Sequence, residues 1–451
     1  RARLMQVYRC SSAWIDGEMR DEVDITVDAE GRIAGIDSRS LVPESQVVLL
    51  PGIVLPGSAN AHSHAFHRAL RGRTHGEGGT FWTWRERMYE VASVLDPDLY
   101  FRLARAVFSE MALAGVTSVG EFHYLHHAPD GSAYDDPNAM GEALRHAARE
   151  AGIRLTLLDT CYLAGGLSDA GHTQLQPRQR RFGDGDASRW AERFGLLAGD
   201  GSTNIGAAIH SVRAVPRDQI PTVVHAAAGR PLHVHLSEQR AENDACEAAY
   251  GRSPTQVLSE AGALGPLTTA VHATHLSDAD IRLLGGSRTS SCFCPTTERD
   301  LADGIGPAHE LANAGSPLCL GTDQHAVIDL LEEARALEMH ERLHHHERGR
   351  LQPADLIAVM TTHGQASLGW HDAGRIEIGQ RADLVAVRAD TVRTAGSEPS
   401  QIVLSAFASD VDTVVVDGAI VVSCGRHRSQ DVGAELVSVI GEVWDRVRSS
   451  P

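Results

Sequence analysis

Apolar and polar positions change rhythm twice along the chain. Residues 1–57 alternate in short runs, as in MQVYRCSSAWIDGEMRDEVDITVDAEGRIAGI, with breaks at Asp16-Gly17 and Glu30-Gly31. Successive strand side chains point to opposite faces, and an acidic-Gly pair between two alternating runs marks a tight hairpin. The same texture returns in GRIEIGQRADLVAVRAD (374–390) and VDTVVVDGAIVVSCG (411–425), where Asp417-Gly418 supplies another turn. Two β-rich ends around a different middle predict one small β-sandwich domain, residues 1–57 plus 371–451, built from both termini.

Between them, residues 58–370 alternate apolar runs with helical stretches. GVTSVGEF (115–122), IRLTLLDT (153–160), PLHVHLSE (231–238), TTAVHATH (268–275) and SPLCLGTD (316–323) read as strands. ALRHAAREAG (143–152) and LLEEARALEMHERLHHH (330–346) read as helices. Strand–helix alternation over this length predicts a parallel sheet, and the count favours a closed (β/α)8 TIM-type barrel over an open doubly wound sheet. No GxGxxG follows the first strand, which weighs against a dinucleotide fold. The glycine-rich GRTHGEGGT (72–80) reads as a flexible loop or lid rather than a phosphate cradle, because no lysine follows it.

Composition narrows the chemistry. The 451 residues carry 59 acidic side chains against 41 basic ones, for a formal charge of −18, which argues against a nucleic-acid surface. Every one of those cations is arginine. Without lysine there is no Schiff-base chemistry, no Walker A loop and no metal pair bridged by a carboxylated lysine. The seven scattered cysteines do not form a disulfide framework, and Cys292 and Cys294 read as core residues rather than ligands. No run approaches 18 apolar residues and no signal peptide is evident, so a cytoplasmic protein without membrane partners is expected.

The sharpest local signal is NAHSHAFHR (60–68), where His62 and His64 lie two apart at a strand end and share a face. His235 closes LHVHL with Glu238 three residues on, His272 lies in VHATHL, and Asp323 closes SPLCLGTD. Each stands where an apolar strand meets a loop, the rim on which barrel enzymes place reactive groups. A buried aspartate there needs a cation or strong donors. Three histidines and one aspartate leave room for a water, as a catalytic metal site does. His233 shares the face of His235 and is either packing or support, and His275 competes with His272. His340 and His344 read as a wet helix face, His126 and His127 as loop residues near the site, and Trp82 and Trp84 as a lid or a loop anchor.

HxH, HLSE, HATHL and GTD in this order, between β-rich ends, resemble the amidohydrolase superfamily. Within it, HSHAFHRAL, FWTWRERMY (81–89), EFHYLHH (121–127), HSVRAV (210–215) and CPTTERDLADG (294–304) resemble the formimidoylglutamate deiminases, across nearly the whole chain. The resemblance implies one divalent metal, zinc, on His62, His64, His235 and Asp323. It implies that Glu238 and His272, beside metal-bound Asp323, handle protons and polarise the substrate. It also implies that His67, Arg85, Tyr124, His210 and Arg213 hold a small dicarboxylate, and that the enzyme is a homodimer. His67 stands where that group has glutamine, and GTDQH departs from its usual form. The implied reaction is hydrolysis of N-formimino-L-glutamate to N-formyl-L-glutamate and ammonia, in histidine degradation. The alternatives are a mononuclear deaminase of a purine, pyrimidine or triazine ring, and a non-catalytic barrel that has lost its metal.

Overall fold

The structure, a computed structural model, describes residues 5–40, 42–76, 80–429 and 431–449. Residues 77–79 of the glycine-rich loop and the side chain of Trp82 lie outside the described residues. Eight parallel strands form the barrel: Ser58–Ser63 (β1), Val116–His123 (β2), Arg154–Cys161 (β3), Thr203–Ile209 (β4), Leu232–Leu236 (β5), Thr268–His272 (β6), Ser290–Phe293 (β7) and Leu318–Leu320 (β8). β2 and β3 are buried along their whole length, as expected of strands covered by helices outside and side chains within. The helices end where the chain chemistry directs. Asp96 caps Pro97–Leu113 by accepting from the Leu99 N–H at 2.8 Å, and Ala139–Ala151 stops at Gly152, whose φ of 81° suits glycine.

The ring closes between β1 and β8 through a single bridge, Ser63 to Asp323, instead of a ladder. Backbone bonds still cross there, from the Thr322 and Asp323 N–H groups to His62 O at 3.1 and 3.0 Å and from the His64 N–H to Asp323 O at 3.1 Å, and a side chain adds two more. Asn60 Nδ2 donates to Thr322 Oγ1 at 2.7 Å, and its Oδ1 accepts from the Thr322 N–H at 3.0 Å. Gly321 permits the close approach, since a Cβ there would meet the His62 backbone N and O at 2.9 and 2.7 Å. The seam therefore brings the HxH segment against the aspartate turn.

The chain ends build one mixed eight-stranded sheet, with Gln6–Ile15 and Val47–Pro56 as its parallel pair. It curls until Arg32 bridges Arg381, and its halves face each other across Tyr8, Ile25, Leu50, Leu384 and Val415. Arg154 at the start of β3 joins the two parts, donating to Asp383 and, at 3.0 Å, to Asp417 Oδ1. The segment after 425 adds a helix, Val432–Ser449, that lies on the barrel helices rather than on the sheet: Trp444 Nε1 donates to Ala69 O at 2.9 Å.

Candidate metal centre and active site

The ends of β1, β5 and the β8 turn bring His62, His64, His235 and Asp323 into one buried group. His62 Nε2 lies 3.2 Å from both His235 Nε2 and Asp323 Oδ1, and His64 Nε2 lies 3.4 Å from the same two atoms. A tetrahedral ion with bonds of about 2.0–2.2 Å separates neighbouring donors by about 3.3–3.6 Å, so the spacing fits a zinc-sized ion. Protonation fits as well. Burial drives the His62, His64 and His235 imidazoles toward the neutral form, His64 to about 3. His64 donates Nδ1–H to Phe122 O at 2.9 Å, leaving the Nε2 lone pair toward the group. Burial opposes the charge on Asp323, but the imidazoles of His62, His272 and His64 hold its carboxyl well below the usual range.

His272 at the end of β6 and Glu238 just past β5 flank this group, with His272 Nε2 3.9 Å from Glu238 Oε1. Burial works against a charged His272, yet Glu238, Glu298 and Asp323 outweigh it and push the imidazole up to about 10. The backbone here is strained. Ser237, His272, Ala273, Asp323 and His325 all have positive φ without being glycine, and such residues gather where function over-determines the chain.

An adjoining cavity is lined by His64, His235, Asp323, Glu238 and His272 on one side. His67, Arg85, Tyr124, His210 and Arg213 line the rest together with an aromatic wall. The residues given metal, catalytic or substrate roles in the sequence thus border one space, with His62 beneath it. Arg85 Nε donates to Tyr89 OH at 2.6 Å, and Gln179 Nε2 donates to Tyr89 OH and Tyr162 OH at 3.1 and 3.0 Å. Arg213 Nε donates to Glu242 Oε2 at 3.1 Å while its Nη2 lies 3.8 Å from Glu238 Oε2. Burial keeps His67 neutral, and its Nε2 lies 2.9 Å from Tyr124 OH.

Trp84, read in the sequence as a lid or a loop anchor, lines the cavity, as do Met88, Tyr89, Tyr162, Phe182 and Leu301, to which sequence reasoning assigned no role. Three of these lie in FWTWRERMY, whose aromatics were the available signal. Glu298 and Asp303, behind the cavity, carried no signal beyond the CPTTERDLADG motif. Of the competing histidines, His275 is half-buried and away from the cavity wall, and His233 points to Ser367 O at 3.1 Å. His126 and His127, expected near the site, lie behind the barrel wall beside Thr160 O and Asp184. The alternation of β2 explains this, since Phe122 faces the metal group and the chain then turns outward.

A family model described as the amidohydrolase family matches residues 53–421. Formimidoylglutamate deiminase of Pseudomonas aeruginosa is 36% identical over 416 residues, spanning 88% of this chain and 90% of that protein. 8-oxoguanine deaminase of the same organism is 30% identical and spans 85% of each. The crystal structure of an amidohydrolase from Brucella melitensis superposes with a TM-score of 0.89 at 30% identity, covering 97% of this chain and all of that one.

Proposed function

Because this chain belongs to the amidohydrolase family, we propose that it hydrolyses N-formimino-L-glutamate to N-formyl-L-glutamate and ammonia. The observation that supports this substrate is the placement of Arg85 and Arg213 on the same cavity as Glu238, His272 and the His/Asp donor group. A formamidine is a cation near neutral pH, and the substrate carries two carboxylates at its other end. The cavity has the matching polarity, with carboxylates at the reacting end and guanidiniums for planar recognition of anions.

His62, His64, His235 and Asp323 would hold one divalent ion, most consistent with zinc by donor type, which when bound supplies an acidified water near neutral pH. Glu238 takes up a proton at its carboxylate and returns it to the departing nitrogen. His272, through Nε2, stabilises charge as oxygen adds to the amidine carbon. A C–O bond forms, the C–N bond to the terminal nitrogen breaks, and ammonia leaves with the proton held by Glu238. Arg85, Arg213, Tyr124 and His210 orient the glutamate portion, and His67 supports Tyr124.

The aromatic wall favours a second reading, deamination of a ring that would stack on Trp84, Tyr89, Tyr162 or Phe182. Those rings already pack on neighbouring rings, Tyr89 stacking on Phe182 with centroids 6.1 Å apart and Tyr162 lying edge-on to His210 at 4.4 Å. The test is ammonia release by zinc-replete protein offered N-formimino-L-glutamate beside guanine, adenosine and cytosine. Turnover of the formimino compound with kcat/KM above about 10⁴ M⁻¹s⁻¹ is expected. Turnover of a ring substrate alone would overturn the reading and leave the donor group standing.

A further inference from the structure

The motif CPTTERDLADG contributes only Leu301 to the cavity wall, yet it carries a buried carboxylate to the back of a reacting group. Glu298 is 3% exposed, and its Oε1 lies 3.5 Å from His272 Nδ1, the ring nitrogen turned away from Glu238. The same oxygen accepts from the Cys294 N–H at 2.8 Å, so the side chain returns to cap the helix Pro295–Asp300 that bears it. Thr296 donates its N–H and hydroxyl to Glu333 at 2.9 and 2.5 Å, which ties the helix to the fully buried carboxylate of Leu330–His345. At the far end of the motif, the Asp303 N–H donates to Glu298 O at 2.9 Å, and Asp303 Oδ1 accepts from Gln239, the residue after Glu238. The segment is held at both ends.

A buried carboxylate needs a partner, and among the described residues the one basic side chain paired with Glu298 is His272. His272 needs orienting in turn. Its backbone is at φ 70°, and only one of the two flipped ring orientations turns Nε2 to the cavity and Nδ1 to Glu298. We propose that Glu298 is the positioning residue of this enzyme, holding the His272 ring with Nδ1–H toward itself and Nε2 toward the cavity. The proposal rests on the hydrolytic reading given above. It assigns the 294–304 motif a place behind the acid–base pair rather than among the substrate contacts. The rival role, a cap for the Cys294 N–H alone, predicts a different outcome, because Glu298→Gln keeps the accepting oxygen and removes the charge.

The experiment compares wild type, Glu298→Gln, His272→Asn and the double variant, each zinc-replete, for kcat, KM, bound metal and Tm. Glu298→Gln should lower kcat about 10- to 100-fold, with KM within about threefold and one equivalent of metal retained. The double variant should fall no further than about threefold below His272→Asn, because one residue acts through the other. Full kcat in Glu298→Gln, additive losses in the double variant, or loss of metal in Glu298→Gln would each overturn the proposal. A second readout does not depend on turnover. The wild type should show a low-field proton resonance for the His272 imidazole N–H that vanishes in His272→Asn and moves upfield in Glu298→Gln. An unmoved resonance overturns the proposal. If the wild type fails to turn over the formimino compound while the resonance still moves, the substrate reading has failed and the positioning contact has not.

Discussion

Two clusters of the same residue types lie on opposite sides of the barrel wall, and they differ in what balances the aspartate. Inside are His62, His64, His235 and Asp323; outside, between the wall and its helices, are His123, His126 and Asp159. All seven are buried, and His123 on β2 stands in register with Asp159 on β3. The difference lies in the charge each aspartate meets. Arg193 donates to Asp159 Oδ2 and Oδ1 at 2.8 and 3.0 Å, and Trp190 Nε1 donates to Oδ1 at 2.9 Å. No arginine is paired with Asp323 among the described residues; its ion-pairing neighbours are His62 and His64. The outer carboxylate is paired with a resident guanidinium, whereas the inner one meets only imidazoles among the described residues, whose free ring nitrogens leave a place for a cation from outside. Metal-capable residue types are common to both clusters, and a resident arginine separates the closed network from the open site.

The largest expected effect follows directly. Asp323→Asn should drop bound metal below a tenth of an equivalent by elemental analysis and lower ammonia release at least about 10³-fold. Asp159→Asn, equally buried, should keep one equivalent. Equal metal loss in both variants would erase the distinction.

Next comes the resident cation. Arg193→Ala leaves Asp159 buried without its bidentate partner, and deprives Asp184 of two further bonds at 2.9 Å. A loss of about 3–5 kcal/mol in unfolding free energy is expected from denaturant titration. The variant sharpens the comparison, because the outer cluster then resembles the inner one in charge. A second equivalent of cobalt(II) should bind to folded Arg193→Ala and not to wild type. Titration that stops at one equivalent would shift the explanation to donor spacing, since His126 Nδ1 is 3.8 Å from Asp159 Oδ2.

This contrast also marks where sequence reading stops. Five barrel strands were legible as short apolar runs, whereas TNIGAAI (203–209) and SSCF (290–293) were not read as strands; the inner cluster was legible because its members stand at strand ends. Residue type alone does not distinguish EFHYLHH from HSHAFHR, since each offers histidines at a strand end. Alternation did carry a signal, because Phe122 facing inward requires His123 to face outward. The partner that closes the outer cluster lies 70 residues on from His123, on a helix whose docking only the fold reveals. Glu298 escaped for the same reason, being near His272 only through the packing of β7 on β6. Val432–Ser449 was read as part of a β-rich end. Its apolar positions Val432, Leu436, Val439 and Val443 follow a helical spacing that was there to be counted.

A smaller effect concerns acid stability. Burial, with Arg193 beside it, holds the His126 imidazole down to about 4, against an ordinary value near 6.5. The unfolded chain therefore takes up a proton first as pH falls, so this group weakens the fold progressively from about pH 6.5 to 4 and has no effect above. A shift of that size is worth at most about 3 kcal/mol. In His126→Gln, whose amide can still donate to Thr160 O, the unfolding free energy should fall less steeply over that window. Identical slopes would mean that the outer cluster does not contribute to the acid limb.

The smallest effect is expected at a third cluster beside Arg350, where buried Glu341 meets the half-buried Glu310 and His345. By composition it too could take a metal, yet Arg350 lies 2.6 Å from Glu310 Oε1 and 2.7 Å from Glu341 Oε2, as Arg193 does for Asp159. His345 Nε2 is 3.6 and 3.5 Å from the same two carboxylates and is 29% exposed, so water screens what it adds. His345→Ala should therefore change unfolding free energy by less than about 0.5 kcal/mol and leave metal content and activity alone. If the variant instead lost part of the bound zinc, or if added zinc raised the Tm of wild type but not of the variant, an arginine-held cluster would have bound metal. The rule drawn from Asp159 and Asp323 would then hold only in the barrel interior, where no water competes to screen the resident cation.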